Sequence, residues 1–582
     1  MSIFRRREPF LYPWADVLSP ELPRGRYDAG RQRALETGRT RLLGMGTVFL
    51  LVFAVIAGRL VEITAFTAPE SVRQARQMPP PAAVMNRADI TDRNGVVLAT
   101  SLPIVNLYAN PRDMLDPEEA ARKTVAALPD LRFGEVLDRL SSDKSFVYLK
   151  RNLTPNQQYE INRRGVPRLN FEKGERRVYT YANLAAHVLG TVDLDNRGIS
   201  GIEKTFNERL TAQPSQPLRL SLDVRLQHIV REELTWSVEE FHASGGAGVI
   251  ADVHTGEILA MISLPDFNPN IHGTSPPDAQ FNRATLGVYE MGSTFKLFTA
   301  AAALDGGFTR LENSYDTTNP IKIASFTIRD YHPQRRWLTV SEIMIHSSNI
   351  GAVRMAQDVG TKAMRDYLGR LGLLQPLAIE LPETGSPLTP SPWREINTLT
   401  VSYGHGLAVT PVHMATAVST LVNGGIHRPA TLIHRPSEAL DSGERALKAE
   451  TSRQMRGLMR RVVEEGTGAK AEVPGYFVGG KTGTAEKSRN GGYARRALLS
   501  SFAAAFPMNN PRYAVIVIID EPEGNKNTFG YATGGWTAAP AVGRIVARVA
   551  PVVGIAPVYG EWTDALLRSV TPAVVRMPDE RE

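Results

Sequence analysis

The feature that most constrains this chain is a run of 17 residues without a charged side chain, residues 42–58. At about 1.5 Å per residue, a helix of this length nearly crosses the roughly 30 Å hydrocarbon core of a bilayer. The run therefore predicts one transmembrane helix over residues 42–60. A buried core helix and a cleaved signal peptide are the alternatives. A core helix would show a polar face, and a signal peptide would have a shorter leader and a small-x-small cleavage site.

The segment before this span is basic. Residues 1–41 contain nine arginines and five acidic residues, a local charge of +4 in a chain that carries +7 overall. Because positive residues favour the cytoplasmic side of a membrane, we expect a cytoplasmic tail, with everything after residue 60 outside. The tail lacks interleaved aromatic residues, so lipid headgroups and partner subunits are better candidates for its contacts than nucleic acid.

Length and composition set further limits. A chain of 582 residues exceeds what one hydrophobic core usually serves, so two or more domains are expected. The sequence has no cysteine, which excludes disulfides, thiol nucleophiles and thiolate metal sites and suits an oxidising compartment.

Local patterns after the span indicate an α+β protein. The proline-rich residues 76–84 predict an extended tether, and Asn94-Gly95 between two β-type runs predicts a hairpin. From about residue 216 a strand leads into an amphipathic helix, and a second hairpin is centred on residues 254–257. With a helical middle and three late strands, these patterns predict an antiparallel sheet that carries helices. The order of the strands is not predicted.

Ser293 and Lys296 stand at the mouth of an apolar helical stretch that ends at Gly306-Gly307. Helix geometry places the two side chains on one face, one turn apart. A neutral lysine can take the proton of a serine hydroxyl, and the unpaired N–H groups of the first turn favour developing negative charge. The alternative is a capping serine and a solvated lysine, and an isolated S-x-x-K pattern favours that alternative.

Two further patterns favour the catalytic interpretation of Ser293 and Lys296 over the capping one. Ser347 and Asn349 form an S-x-N pattern in the helical middle of the chain. A K-T-G-T pattern opens a late strand-like run with Lys481, Thr482, Gly483 and Thr484. Each pattern is weak alone, but S-x-x-K, S-x-N and K-T-G in this order resemble the signature of the serine penicillin-recognising enzymes.

The resemblance covers about residues 42–550 and is to the class B penicillin-binding proteins. Residues 87–99 are similar to the first non-catalytic motif of that family, with Ala88 where Gly is usual. Residues 185–210 are similar to the second motif. Residues 282–296 match the approach to the active site, with Met291 in place of the usual Pro.

The resemblance implies a domain order and a fold. A cytoplasmic tail (1–41) and the transmembrane helix (42–60) would be followed by an elongated pedestal or dimerisation domain (61–215). An α+β transpeptidase domain, an antiparallel sheet with helices on both faces, would occupy residues 216–560. A tail (561–582) would follow.

A catalytic cycle is also implied by the family. Ser293 would attack the carbonyl between two terminal D-alanines of a peptidoglycan stem peptide, with Lys296 as general base. Burial and the cationic Lys481 should depress the pKa of that base. Ser347 would relay a proton to the leaving group, and Asn349 would hydrogen-bond Lys296 and the donor peptide.

The K-T-G-T segment would recognise the donor. Lys481, Thr482 and Thr484 would hold the terminal carboxylate, and the backbone N–H groups of Ser293 and Thr484 would form the oxyanion hole. Gly483 would leave room for the substrate. An amine of a second stem peptide would then resolve the acyl-enzyme. The resemblance implies no metal or cofactor, and β-lactams as covalent inhibitors.

Within the family, the S-S-N form of the second motif and the length resemble the division-specific FtsI type. That type implies a single-pass protein of the bacterial inner membrane at the division septum, with its catalytic domain in the periplasm. The implied partners are an FtsW-type glycosyltransferase and other divisome proteins.

For several other residues we expect a structural role. Arg87, Asp92 and Arg93 are expected to pair with the second pedestal motif, including Glu203, at the domain junction.

Near the active site, His346 and His405 are expected to be packing or hydrogen-bonding histidines. Glu290 either orients the loop before Ser293 or is solvated.

Other functions remain open at this stage. An elongation-type transpeptidase more often carries Asp at position 349, and a D,D-carboxypeptidase would release the acyl group to water. A β-lactamase should show an E-x-x-L-N loop, which does not occur between Asn349 and Lys481. A β-lactam-binding sensor or a structural divisome subunit would use the same fold without catalysis.

Overall fold

The computed structural model describes residues 28–61, 87–271, 273, 275–323, 326–436, 443–489 and 492–559, which fall into two units. The first unit contributes one described helix, α1 (Asp28–Val61). Its segment Leu43–Leu60 is long and apolar enough to cross a membrane. The predicted span therefore lies within a longer helix. Most of the predicted basic tail, the proline-rich tether and the C-terminal tail lie outside the described residues.

The second unit begins with the pedestal, a five-stranded sheet in which β3, β2, β1 and β5 are neighbours and β4 also pairs with β2. The predicted hairpin is confirmed, since β1 pairs antiparallel with β2 and Gly95 has φ +84° in the turn between them. The strands are β1 Ile90–Thr91, β2 Val97–Ala109, β3 Val147–Leu153, β4 Leu169–Tyr179 and β5 Leu218–Arg219. The helices are α2 Pro117–Ala127, α3 Phe133–Leu140, α4 Pro155–Arg164, α5 Ala186–Leu189, α6 Gly201–Thr205 and α7 Asn207–Ala212.

The catalytic domain is built on a second five-stranded sheet, entirely antiparallel, with the order β16-β17-β18-β6-β7. The second predicted hairpin is confirmed as β6 and β7, and the three predicted late strands are β16, β17 and β18. Their bounds are β6 Gly245–Asp252, β7 Ile258–Leu264, β16 Gly479–Arg489, β17 Gly492–Phe506 and β18 Tyr513–Asp520.

Helices cover both faces of this sheet, because its central strand is apolar on both sides. Val515 and Val517 pack on one face with residues of α8 and α17, whereas Ile516 and Ile518 pack on the other with residues of α15. The predicted α+β fold is thus confirmed. The helices are α8 Val224–Glu240, α9 Pro277–Gln280, α10 Lys296–Asp305, α11 Val340–His346, α12 Asn349–Val359, α13 Thr361–Arg370, α14 Glu395–Val401, α15 Pro411–Val422, α16 Ala449–Glu465 and α17 Ala538–Val552. The short strands are β8 Tyr289–Glu290, β9 Ser314–Asp316, β10 Ile321–Ile323, β11 Phe326–Ile328, β12 Trp337–Thr339, β13 Ala408–Val409, β14 Ile426–His427 and β15 Glu444–Arg445.

The first non-catalytic motif (residues 87–99) pairs with the second (residues 185–210) through a buried carboxylate. Glu203 accepts hydrogen bonds from Arg87 Nε at 2.7 Å and from Arg177 Nε at 2.6 Å, and all three side chains are buried. The expected pairing of Arg87 is therefore confirmed.

Asp92 and Arg93 lie at the domain junction as expected, but the expected pairing with the second motif is wrong for them, because the hairpin turn that holds them contacts the catalytic domain. Asp92 accepts backbone N–H groups of its own turn and the N–H of Val224 at 3.2 Å. Arg93 forms an ion pair with Glu257 at 3.3 Å.

Candidate active site

Ser293 and Lys296 meet as the S-x-x-K spacing predicts. Ser293 lies in a 3₁₀ turn, Gly292–Phe295, and Lys296 is the first residue of α10. The Lys296 Nζ and Ser293 Oγ atoms are 2.7 Å apart. Gly292 has φ +52°, and a side chain there would come within 2.4 Å of the Thr484 carbonyl oxygen. The serine turn therefore lies directly against β16.

The S-x-N residues join the same lysine from a break between two helices. Ser347 ends α11 in the left-handed conformation, with φ 58°, and Asn349 begins α12. This turn brings Asn349 Oδ1 to 2.7 Å, the Ser347 carbonyl oxygen to 3.0 Å and Ser347 Oγ to 3.3 Å from Lys296 Nζ. Two separate sequence patterns thus converge on one amine.

Lys296 is completely buried, and its environment disfavours the charged form. Burial and then the positive charge of Lys481 hold the pKa of Lys296 well below the ordinary lysine value, while the Asp330 carboxylate acts in the opposite direction. When the amine is neutral, the 2.7 Å contact can carry the serine proton toward nitrogen. The arrangement is that of a base beside a nucleophile.

Lys481 lies on β16 and is also completely buried. Burial lowers the pKa of Lys481 to about 7. Its Nζ has three long contacts, with Thr467 Oγ1 at 3.4 Å and with the carbonyl and hydroxyl oxygens of Thr482 at 3.3 Å. Within the described part of the chain, no carboxylate lies within 4.0 Å of this amine.

Backbone contacts hold β16 against the serine turn. A side chain at Gly483 would lie 2.3 Å from the Met291 carbonyl oxygen and from Ser501 Oγ. Thr484 Oγ1 accepts a hydrogen bond from the backbone N–H of Gly534 at 3.1 Å. Gly483 is therefore required for close packing between the strand and the turn.

A cavity of about 710 Å³ opens over these groups. Ser293, Ser347, Asn349 and the strand residues 482–484 line it, so the hydroxyl of Ser293 is accessible to a peptide. Other wall residues are Tyr331, His332, His346, Tyr403, His405, Thr467, Lys470, Thr533 and Trp536.

Two contributors were not predicted from the sequence. Asp330 accepts hydrogen bonds from Ser348 Oγ at 2.8 Å and from the Ile350 N–H at 3.0 Å, which fixes the turn around Ser347. Thr467 lies 2.7 Å from Thr482, oxygen to oxygen. Both residues lie in loops without a recognisable pattern, so only tertiary structure identifies them.

Glu290, His405 and His346 flank the site and have structural contacts or partial burial. Glu290 accepts the Gly406 N–H at 2.8 Å and lies 3.2 Å from His405 Nδ1, so it orients the loop beside Ser293 instead of being solvated. Burial lowers the pKa of His346.

A serine beside a buried low-pKa lysine, in a turn that packs against an antiparallel sheet and opens to a cavity, defines a serine acyl-transfer enzyme. Residues 246–547 match the family model described as penicillin binding protein transpeptidase domain, and residues 83–218 match penicillin-binding protein dimerisation domain. The chain belongs to the class B penicillin-binding proteins and is a peptidoglycan D,D-transpeptidase of this serine enzyme family.

Relatives share this organisation over most of their length. The probable peptidoglycan D,D-transpeptidase FtsI of Caulobacter vibrioides is 40% identical over 81% of this chain and 82% of its own. The probable peptidoglycan D,D-transpeptidase PenA of Neisseria gonorrhoeae is 32% identical over 93% and 96%. The crystal structure of penicillin-binding protein 3 from Mycobacterium tuberculosis, complexed with aztreonam, has the same fold, with a TM-score of 0.63, 23% identity and coverage of 82% and 99%.

Proposed function

We propose that this D,D-transpeptidase crosslinks stem peptides during septal cell-wall synthesis. The apolar helix α1 would anchor it in the inner membrane, with residues 1–41 in the cytoplasm and the catalytic domain in the periplasm. The similarity to FtsI of C. vibrioides and the Ser-Ser-Asn form of the second motif support a role in division. An FtsW-type glycosyltransferase would supply the nascent glycan strands.

In the acylation step, Ser293 Oγ forms a bond to the carbonyl carbon between the two terminal D-alanines of the donor. Its proton moves to Lys296 Nζ over the 2.7 Å contact. The carbonyl oxygen becomes an oxyanion that the N–H groups of Ser293 and Thr484 stabilise, and each such donor contributes about 3 kcal/mol. The C–N bond then breaks, Ser347 passes its proton to the nitrogen of the departing D-alanine, and the protonated Lys296 Nζ returns a proton to Ser347 Oγ over the 3.3 Å contact.

In the transfer step, the amine of a second stem peptide attacks the ester carbonyl carbon and loses a proton to the same relay. The ester C–O bond breaks, and Ser293 recovers its hydrogen. Water in place of the amine would give the D,D-carboxypeptidase reaction. Lys481, Thr482 and Thr484 hold the donor carboxylate until it departs with D-alanine in the acylation step, and the carboxylate of a β-lactam binds the same three residues.

The observation that carries this proposal is the position of Lys296 Nζ, buried and 2.7 Å from both Ser293 Oγ and Asn349 Oδ1. A fluorescent penicillin should form a stable covalent adduct with the wild-type protein and none with Ser293→Ala. An adduct on the alanine variant would exclude Ser293 as the nucleophile, and rapid turnover of the drug would indicate a β-lactamase. Synthetic stem peptides would then show whether an amine or water receives the acyl group.

The division role has a separate test in cells. Depletion of the protein should produce filaments that elongate without septa, and a fluorescent fusion should collect at mid-cell. Rounded cells after depletion would instead indicate an elongation-type transpeptidase.

The membrane orientation is testable because the chain has no cysteine. Single variants Ser2→Cys and Ser141→Cys should differ in intact spheroplasts. A membrane-impermeant maleimide should label only the variant at position 141. Labelling at position 2 alone would show the opposite orientation.

A further inference from the structure

The backbone around Thr467 holds this residue rigidly at the wall of the cavity. Thr467 follows α16, and a side chain on its neighbour Gly466 would come within 2.7 Å of the Ile345 carbonyl oxygen in α11. On the other side, a side chain at Gly535 would lie 2.9 Å from the Thr467 carbonyl oxygen. Thr467 is therefore fixed between the helix that ends at Ser347 and the loop after β18.

The Thr467 hydroxyl completes a polar group with two residues of the K-T-G-T segment. Its Oγ1 lies 2.7 Å from Thr482 Oγ1 and 3.4 Å from Lys481 Nζ, while Thr482 Oγ1 lies 3.3 Å from the same nitrogen. A protonated amine only donates, so both hydroxyl oxygens can accept from it. One hydroxyl proton is then used between the two threonines, and the other remains for a ligand.

We propose that Thr467 is a positioning residue that orients Thr482 for recognition of the terminal carboxylate of the donor peptide. This inference rests on the proposed function of the site. Lys481 is buried, and among the described residues its Nζ contacts oxygens of Thr467 and Thr482 and no carboxylate, so the group as a whole fits an anion. When the Thr467 O–H donates to Thr482 Oγ1, the proton of Thr482 is left to donate to that anion, and removing the Thr467 hydroxyl removes this orientation.

The test compares a fluorescent penicillin with the methyl ester of its ring carboxylate, on wild type, Thr467→Val and Thr467→Ser. The valine variant keeps the shape and removes the hydroxyl. We expect it to slow acylation by the free acid about tenfold, as for loss of a hydrogen bond to a charged group. Acylation by the ester should change less than about twofold. The serine variant should behave as wild type with both probes.

The ratio of the two rates makes the result independent of the folded fraction, because both probes report on the same protein sample. An equal loss with both probes, no loss with either, or a serine variant as slow as the valine variant would each overturn the proposal. Thr211→Val, at an exposed threonine that bonds its own helix, is the matched control and should leave both rates unchanged. An adduct on Ser293→Ala would instead count against the proposed nucleophile and not against Thr467.

Discussion

Lys296 and Lys481 are both fully buried, but their surroundings differ. Lys296 has four oxygen acceptors between 2.7 and 3.3 Å, among them the nucleophile. Lys481 has three contacts within the described part of the chain, at 3.3 and 3.4 Å. Lys296 is thus placed to exchange a proton with Ser293, whereas Lys481 offers its charge to a ligand. The acylation reaction needs these two amines in opposite protonation states.

This difference predicts a bell-shaped pH dependence of acylation. The rate constant should rise with pH as Lys296 loses its proton at a pKa well below the ordinary value. It should fall above about pH 7, because Lys481 with a pKa of about 7 then loses the charge that holds the carboxylate. Stopped-flow acylation of the free protein by a penicillin, from about pH 5 to about pH 10, would measure both limbs.

Lys481→Arg is the informative variant for the falling limb, since a guanidinium stays charged throughout this range. Its maximal rate should be lower, and the fall above neutral pH should disappear. A falling limb that persists in this variant would show that another group causes it.

The same lysine should also destabilise the free protein. Because burial lowers the pKa of Lys481, the unfolded chain binds a proton more tightly than the folded one between about pH 7 and the ordinary lysine pKa. The loss of folding stability caused by the buried Lys481 is complete below about pH 7, and it disappears as the pH rises from about 7 to the ordinary lysine pKa. Lys481→Met should therefore raise the free energy of unfolding by about 2–4 kcal/mol at neutral pH while abolishing acylation.

Thermal unfolding at several pH values checks this expectation. The advantage of Lys481→Met over wild type should shrink steadily from about pH 7 to about pH 10. An advantage that does not change with pH would mean that better packing of the methionine causes it.

At the scale of elements, sequence patterns predicted what is local. The turn at Asn94-Gly95, the β6–β7 hairpin and the helix after Ser293 each depend on neighbours in the chain. The pairing of β18 with β6 joins segments far apart in sequence, so no local pattern predicted the strand order. Asp330 and Thr467 were missed for the same reason, because each acts through a contact that only the folded chain makes.

The contact between β16 and the serine turn leads to a prediction for Gly483→Ala. The added carbon would lie 2.3 Å from the Met291 carbonyl oxygen, so the strand must move away from the turn. Overpacking of this kind costs about 1–3 kcal/mol of stability. A displacement of about 1 Å in a catalytic group can slow the reaction about a hundredfold. Acylation rate and thermal unfolding would be measured together.

Gly134→Ala is the matched control, since Gly134 lies in α3 and a side chain there meets nothing within 4 Å. This variant should keep full acylation and should not lose stability, because the added carbon meets no neighbouring atom. Unimpaired acylation in Gly483→Ala would contradict the close packing of strand and turn.

At the scale of the whole second unit, polar contacts join the pedestal to the catalytic domain. Arg93 pairs with Glu257, and Asn94 Nδ2 donates to Asp223 at 3.1 Å. Within the pedestal, the buried carboxylate of Glu203 holds Arg87 and Arg177 together. The contact between residues 87–99 and residues 185–210 therefore depends on one buried negative charge.

Glu203→Gln should destabilise the protein by about 3–5 kcal/mol, because it leaves two buried guanidinium groups without a negative charge. Acylation below the unfolding temperature should stay within about twofold of wild type, because Glu203 takes no part in the chemistry. Glu118→Gln removes the carboxylate of an exposed pair with Arg122 and should change stability by less than about 0.5 kcal/mol. Equal unfolding temperatures for the two variants would contradict a structural role for Glu203.

The close backbone contacts of the active site also limit how the protein can evolve resistance to β-lactams. Gly292, Gly404, Gly483 and Gly534 bring main chain against main chain, so any side chain added there would damage catalysis together with drug binding. Other parts of the cavity wall carry no such restriction, since Tyr331, His332 and Trp536 contribute side chains rather than packed backbone. Mutations that spare the natural peptide and exclude a drug should therefore arise at the rim.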